Sequence, residues 1–110
     1  MSAIDRLYDI NNPTIKKSIN IDDTLYEKVI KLTRNRFCAT VGEIVNVCIE
    51  DYVVKNNPTY YEKPKRETVT YRSIMIREKN LRDLQKMNKK TGITVTRLLN
   101  AAIKEFLESL

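Results

Sequence analysis

Histidine is absent from the 110 residues, and glycine and cysteine each occur only twice. Without histidine there is no Ser-His or Cys-His nucleophile, no imidazole metal ligand, and no side chain that ordinarily titrates near neutral pH. Gly42 and Gly92 stand far apart, so no glycine-rich phosphate loop can be built from them. Cys38 and Cys48 supply two thiols where a structural zinc site normally takes four ligands. Cys48 falls on an apolar helical face and reads as a small buried thiol. Cys38 falls in a break between helices, and a structural disulfide is not expected in a reducing cytoplasm. Enzymatic catalysis, metal binding and a resident cofactor therefore have little to rest on. No apolar run approaches the ~18 residues that span a bilayer, and the segment from Met1 to Pro13 carries Asp5 and Asp9 without a signal-peptide profile. A cytoplasmic protein, in the host-cell cytoplasm if viral, is the simple expectation.

The net charge is +6, and its placement is uneven. Residues 1–55 hold eight Lys/Arg against eight Asp/Glu, whereas residues 56–110 hold twelve against six. A basic half invites a polyanion, most often nucleic acid. Lysine-rich surfaces that serve only solubility are the bland alternative. A hydrophobic fraction of 42% is ordinary for a globular chain.

The strongest feature is an internal repeat. Ser18-Ile19-Asn20-Ile21 returns as Ser73-Ile74-Met75-Ile76, and each copy precedes two amphipathic helical stretches. From Thr14 to Ile21, residues Ile15, Lys17, Ile19 and Ile21 alternate with Lys16, Ser18 and Asn20, which is the period of a strand. Asp22 or Asp23 is placed to cap the helix that follows. Leu25, Tyr26, Val29 and Ile30 recur at helical spacing, until Arg34-Asn35-Arg36-Phe37-Cys38 breaks the pattern. Thr40 and Glu43 make a capping box, ahead of the stripe Ile44, Val45, Cys48, Ile49, Tyr52 and Val53. Asn56-Asn57-Pro58 and Pro64-Lys65-Arg66 mark a linker. In the second copy Val69, Tyr71, Ser73 and Met75 alternate with Thr70, Arg72, Ile74 and Ile76. Leu81, Leu84 and Met87 mark a helix that Gly92 stops. Thr94 caps a last helix whose apolar face is Leu98, Leu99, Ala102, Ile103, Phe106, Leu107 and Leu110. A one-residue slip between the helices then matches Asn46 with Asn100.

A short strand in a mostly helical chain needs a partner, and the repeat offers one. The expected fold is mainly α with a short two-stranded antiparallel β-ribbon, four helices covering its apolar face. The organisation is an N-terminal extension (1–13), a first unit (14–55), a linker (56–67) and a second unit (68–110). A two-stranded ribbon has the width to enter the major groove of B-DNA. Lys16, Ser18, Asn20, Tyr71, Ser73 and Met75 are expected on its outward face.

The residues Ser18 to Asp23 with Leu25, and above all Gly92-Ile93-Thr94-Val95-Thr96 with Leu98-Leu99 and Ala101-Ala102-Ile103, resemble the ribbon-helix-helix (MetJ/Arc/CopG-like) family of transcriptional regulators. The double unit resembles the tandem regulators of crenarchaeal filamentous viruses, of the AvtR type. The resemblance covers residues 15–54 and 70–108. It implies a pseudo-twofold tandem ribbon-helix-helix and a sequence-specific double-stranded DNA-binding regulator, most simply a repressor that self-associates between chains. By the same resemblance, Lys16, Ser18, Asn20, Tyr71, Ser73 and Met75 read bases. Thr40 and Val41, with Thr94, Val95, Thr96 and Arg97, hold phosphates at the start of the second helix of each unit, where free amides and the helix dipole favour an anion. The first copy departs from the pattern at Cys38, where glycine is usual, and at Gly42, where Ser or Thr is usual.

Two rival readings stand beside it. One is an architectural protein that coats DNA without reading it. The other is a protein-interaction module that binds a partner through the Tyr/Met ribbon face. Arg34, Arg36, Lys89 and Lys90 read as general phosphate attraction or ordinary surface. Arg72 faces inward by alternation and is expected to snorkel at the ribbon edge.

Overall fold

The alternating segments can satisfy their backbone groups only by pairing with each other, and they do so in antiparallel fashion. The computed structural model describes residues 13–35, 40–55 and 68–110. Strand β1 (Thr14–Asp22) leads into helices α1 (Asp23–Asn35) and α2 (Val41–Lys55). Strand β2 (Val69–Arg77) leads into α3 (Glu78–Thr91) and α4 (Val95–Glu108). The architecture is therefore mainly helical with a two-stranded antiparallel sheet, as the periodicities imply. The expected linker 56–67, residues 1–12 of the expected extension, and Cys38 lie outside the described residues.

The register sets Ser18 opposite Ser73, Lys16 opposite Met75 and Asn20 opposite Tyr71. Ile19, Ile21, Ile74 and Ile76 all turn to the other face and are buried. There they meet Val29 of α1, Leu84 of α3, Val45 and Ile49 of α2, and Leu98, Leu99 and Ile103 of α4, all buried in one core. The most extensive helix–helix packing is between α2 and α4, the second helix of each copy. These are also the more apolar helices, and each packs against the strand of the other copy.

Local signals set the helix ends. At the start of α2, Glu43 N donates to Thr40 Oγ1 at 3.2 Å, and Glu43 Oε1 accepts from Thr40 N at 3.4 Å, closing the expected capping box. At the start of α4, Thr94 Oγ1 accepts from Arg97 N at 3.3 Å. Gly92 ends α3 in the left-handed region at φ 78°, where a Cβ would be strained, and donates its amide to Asn88 O. Of the two aspartates at the start of α1, Asp22 closes β1 and is buried, while Asp23 opens the helix.

Cys48 is a free, buried thiol. Desolvation is the main cause that pushes its pKa up to about 12, so it stays protonated and inert in the native fold. Leu99, fully buried where α4 meets the core, tests the packing. Leu99→Ala is expected to cost about 2–5 kcal/mol, measured as a lower urea midpoint at unchanged slope.

Candidate nucleic-acid interface

The face of the ribbon away from the helices carries Lys16, Ser18, Asn20, Tyr71, Ser73 and Met75 together, as their alternation requires. Lys16, Asn20 and Ser73 are exposed and Ser18 is half-exposed. Tyr71 and Met75 are among the most exposed large apolar side chains, at 69% and 49%. At the centre, the Ser18 and Ser73 hydroxyls stand 3.0 Å apart and share a hydrogen bond. Each retains capacity for a further partner, since a hydroxyl donates once and accepts twice. Lys16 and Met75 form one end of the face, Asn20 and Tyr71 the other. From position 16 to 20 the strand rises ~13 Å, so the six side chains form a narrow band over a rigid two-stranded support.

The ribbon has no third strand among the described residues, so its outer-edge backbone groups need other partners. Two buried asparagines supply four of them. Asn46 Nδ2 donates to Gly42 O at 2.8 Å and to Met75 O at 3.0 Å, while its Oδ1 accepts from Arg77 N at 3.0 Å. Asn100 makes the matched set: Nδ2 donates to Thr96 O at 2.8 Å and Asn20 O at 3.1 Å, and Oδ1 accepts from Asp22 N at 3.0 Å. Each asparagine thus ties the second helix of one copy to the strand of the other. The sequence shows these positions matched across the copies, but nothing in it says which backbone they serve. Asn46 also bonds across helices, accepting from Asn80 Nδ2 at 2.9 Å.

These ties place the helix starts. The first turn of α2 lies against β2 at Met75; a Cβ on Gly42 would come within 3.3 Å of Met75 O. The first turn of α4 lies beside Asn20, through the amide that Thr96 and Asn20 share. The sequence-predicted phosphate residues Thr40 and Val41 therefore sit near the Lys16/Met75 end, and Thr94, Val95, Thr96 and Arg97 near the Asn20/Tyr71 end. The amides of Val41, Gly42, Val95 and Thr96 precede the first intrahelical bonds, Ile44 N to Thr40 O and Leu98 N to Thr94 O. The two starts differ in charge. Glu43 folds its carboxylate back onto the Thr40 amide and hydroxyl, the latter at 3.2 Å. The matched residue at α4 is Arg97.

Arg72 lies inward as alternation requires, half-buried, with its guanidinium 3.6 Å over the Tyr26 ring. Its Nη2 donates to Asp23 Oδ1 at 3.3 Å, while the buried Nε has no partner. Asp23 also accepts from the hydroxyls of Thr68 and Thr70. Thr68 contributes most to holding its carboxyl below the ordinary value of 3.8, followed by Thr70 and, against the opposing effect of desolvation, Arg72. Among the described residues no group of three or more His, Cys, Asp or Glu could hold a metal ion, and no helix is long and apolar enough to cross a membrane.

No protein-family model, curated protein or solved structure matches this chain.

Two outcomes are expected from these contacts. Asn100→Ala leaves the buried Asp22 amide and Asn20 carbonyl without this partner and costs about 1–3 kcal/mol, read from urea unfolding. Because Asp23 is depressed when folded, its contribution is complete above pH ~4 and is lost as pH falls through the folded-state value. The Asp23→Asn chain is therefore expected to lose less stability than the native chain between pH ~4 and pH ~2, measured by thermal melts across that range.

Proposed function

We propose that this chain is a sequence-specific double-stranded DNA-binding transcriptional regulator of the ribbon-helix-helix kind, acting as a repressor by occupying a promoter. Its two units form one pseudo-twofold tandem molecule. The observation that carries the reading is the outward band of Lys16, Ser18, Asn20, Tyr71, Ser73 and Met75, held between two helix N-termini. A ribbon in the major groove presents such a band to base edges. Asn20 offers a donor and an acceptor, the central serines offer hydroxyls, Lys16 is a donor, and Met75 is an apolar partner for a thymine methyl. The helix starts at either end offer unbonded amides to the flanking phosphates, which position the protein without specifying sequence.

The two ends of the band differ, so the preferred site is asymmetric. Lys16 and Met75 read one end beside the Glu43-bearing start of α2. Asn20 and Tyr71 read the other beside the Arg97-bearing start of α4. Phosphate attraction is stronger at the α4 end, because Glu43 places a negative charge where α2 would receive a phosphate. Self-association between chains adds neighbouring sites and affinity.

Selection from a random duplex pool at about 150 mM salt, with excess nonspecific competitor, tests this reading. The native chain is expected to enrich one asymmetric motif. The Ser18→Ala/Asn20→Ala/Ser73→Ala chain keeps nonspecific affinity and loses the motif. Arg97→Ala weakens binding to all sequences alike and lowers the salt slope by about one. Retention of DNA without any motif would mean coating, and no retention would turn attention to a protein partner.

A further inference from the structure

The two copies carry opposite charges at one matched pair of positions. Glu50 of α2 binds Arg77 at the end of β2, Nη1 to Oε2 at 2.9 Å. Glu50 stands one turn beyond Asn46, which holds the Arg77 amide. In the other copy, Lys104 stands one turn beyond Asn100, which holds the Asp22 amide. Position 104 matches 50, and position 22 matches 77. A glutamate facing an arginine in one half thus corresponds to a lysine and an aspartate in the other. The acid and the base have exchanged places.

We propose that these four charges make the two unlike repeats each other's pairing partner and oppose pairing of a repeat with its own kind from a second copy of the chain. The proposal rests on the equivalence of the two copies described above and not on DNA binding. In the unlike pairing Glu50 meets Arg77, and the matched residues Lys104 and Asp22 are again opposite in sign, with Lys104 in an ion pair to Glu108 of its own helix at 3.9 Å. If two first repeats from different chains paired, Glu50 would meet Asp22. If two second repeats paired, Lys104 would meet Arg77. Both like pairings juxtapose equal charges, and discrimination of this kind needs a repulsive element as well as an attractive one.

A second set of atoms points the same way. Asn80 Nδ2 donates to Asn46 Oδ1 at 2.9 Å and to Glu50 Oε2 at 3.1 Å. The matched residue in the first copy is Leu25, which is buried. A pairing of two first repeats would set Leu25 against Asn46 and Glu50, and leucine has no donor to give them. By contrast, Asp23 and Arg72 match Glu78 and Lys17, with the same signs in both copies. That ion pair would form in either pairing and discriminates nothing.

The test uses full chains carrying Ser18→Cys, Ser73→Cys and Cys38→Ser. Because the Ser18 and Ser73 hydroxyls are 3.0 Å apart, cysteines there are within disulfide reach inside one chain. In a like pairing each of these positions faces its own copy in a second chain. The reference chain is expected to oxidise to a within-chain disulfide and run as a monomer on a non-reducing denaturing gel. Adding Glu50→Lys and Lys104→Glu keeps the net charge, makes both unlike contacts repulsive and makes both like contacts attractive. This chain is expected to raise the disulfide-linked dimer fraction about tenfold or more and to melt about 5 °C or more lower. Glu50→Lys with Arg77→Glu reverses one pair in place but makes both like contacts attractive as well, and is expected to restore most of the lost melting temperature while the dimer fraction stays above that of the reference chain. Should the Glu50→Lys/Lys104→Glu chain fail to fold, a folded Glu50→Lys/Arg77→Glu chain with a dimer fraction above that of the reference chain supports the same conclusion. The proposal is overturned if the Glu50→Lys/Lys104→Glu exchange leaves cross-linking and melting unchanged, or if Glu50→Lys/Arg77→Glu melts as low as that exchange or cross-links no more than the reference chain. Failure of the reference chain to close its own disulfide would overturn it together with the ribbon pairing. No DNA enters these readouts, so the DNA-binding reading stands or falls separately.

Discussion

Among the described residues strands β1 and β2 have only each other as strand partners, and the other described parts of the fold are arranged around that dependence. A single strand leaves a row of backbone donors and acceptors unpaired, and burying one face of it without a partner would be prohibitive. Pairing across the Ser18–Ser73 centre brings four isoleucines onto one face, Ile19, Ile21, Ile74 and Ile76, which is enough apolar surface for the helices to cover. A two-stranded ribbon alone is marginal. Here the core beneath holds it, and the asparagines of α2 and α4 bond its outer edges at Asn20, Asp22, Met75 and Arg77.

Those asparagines also join the two things that the proposed groove-binding role needs. A ribbon in the major groove presents side chains to bases, and something beside it must hold the backbone on either side. Asn46 and Asn100 fix the start of each second helix against the strand of the opposite copy, one turn from the residues proposed to meet phosphate. The same bonds therefore serve stability and placement. The two ends are nevertheless unlike, with Glu43 at one helix start and Arg97 at the other. The two units differ in charge at matched positions, at the helix starts and where Glu50 meets Arg77.

Several features were legible before any coordinates. The period-two alternation at Thr14 to Ile21 and Val69 to Ile76 places each outward residue correctly, because a side chain in a strand has only two faces to choose from. Thr40 with Glu43, Thr94 and Gly92 mark helix boundaries for local reasons, since a cap acts within one turn. Asp22 and Asp23 were less clear. Adjacent aspartates offer equal capping chemistry, and the extra strand residue is settled by the Asp22 pairing with Val69 and by the bond from its amide to Asn100. Arg72 faced inward by alternation, but its seat over Tyr26 depends on where α1 crosses β2.

Sequence by itself determined the repeated pattern, the inward and outward sides of each strand, the starts of α2 and α4 and the end of α3, because all of these follow from spacing and single-turn chemistry. Tertiary structure decided what spacing cannot carry. It put the strands in register within one chain, crossed each asparagine to the other copy's strand, and set Glu50 against Arg77. Those partners lie 27 or more residues apart. Only the simultaneous packing of both units against one core selects them from the other polar groups of the chain.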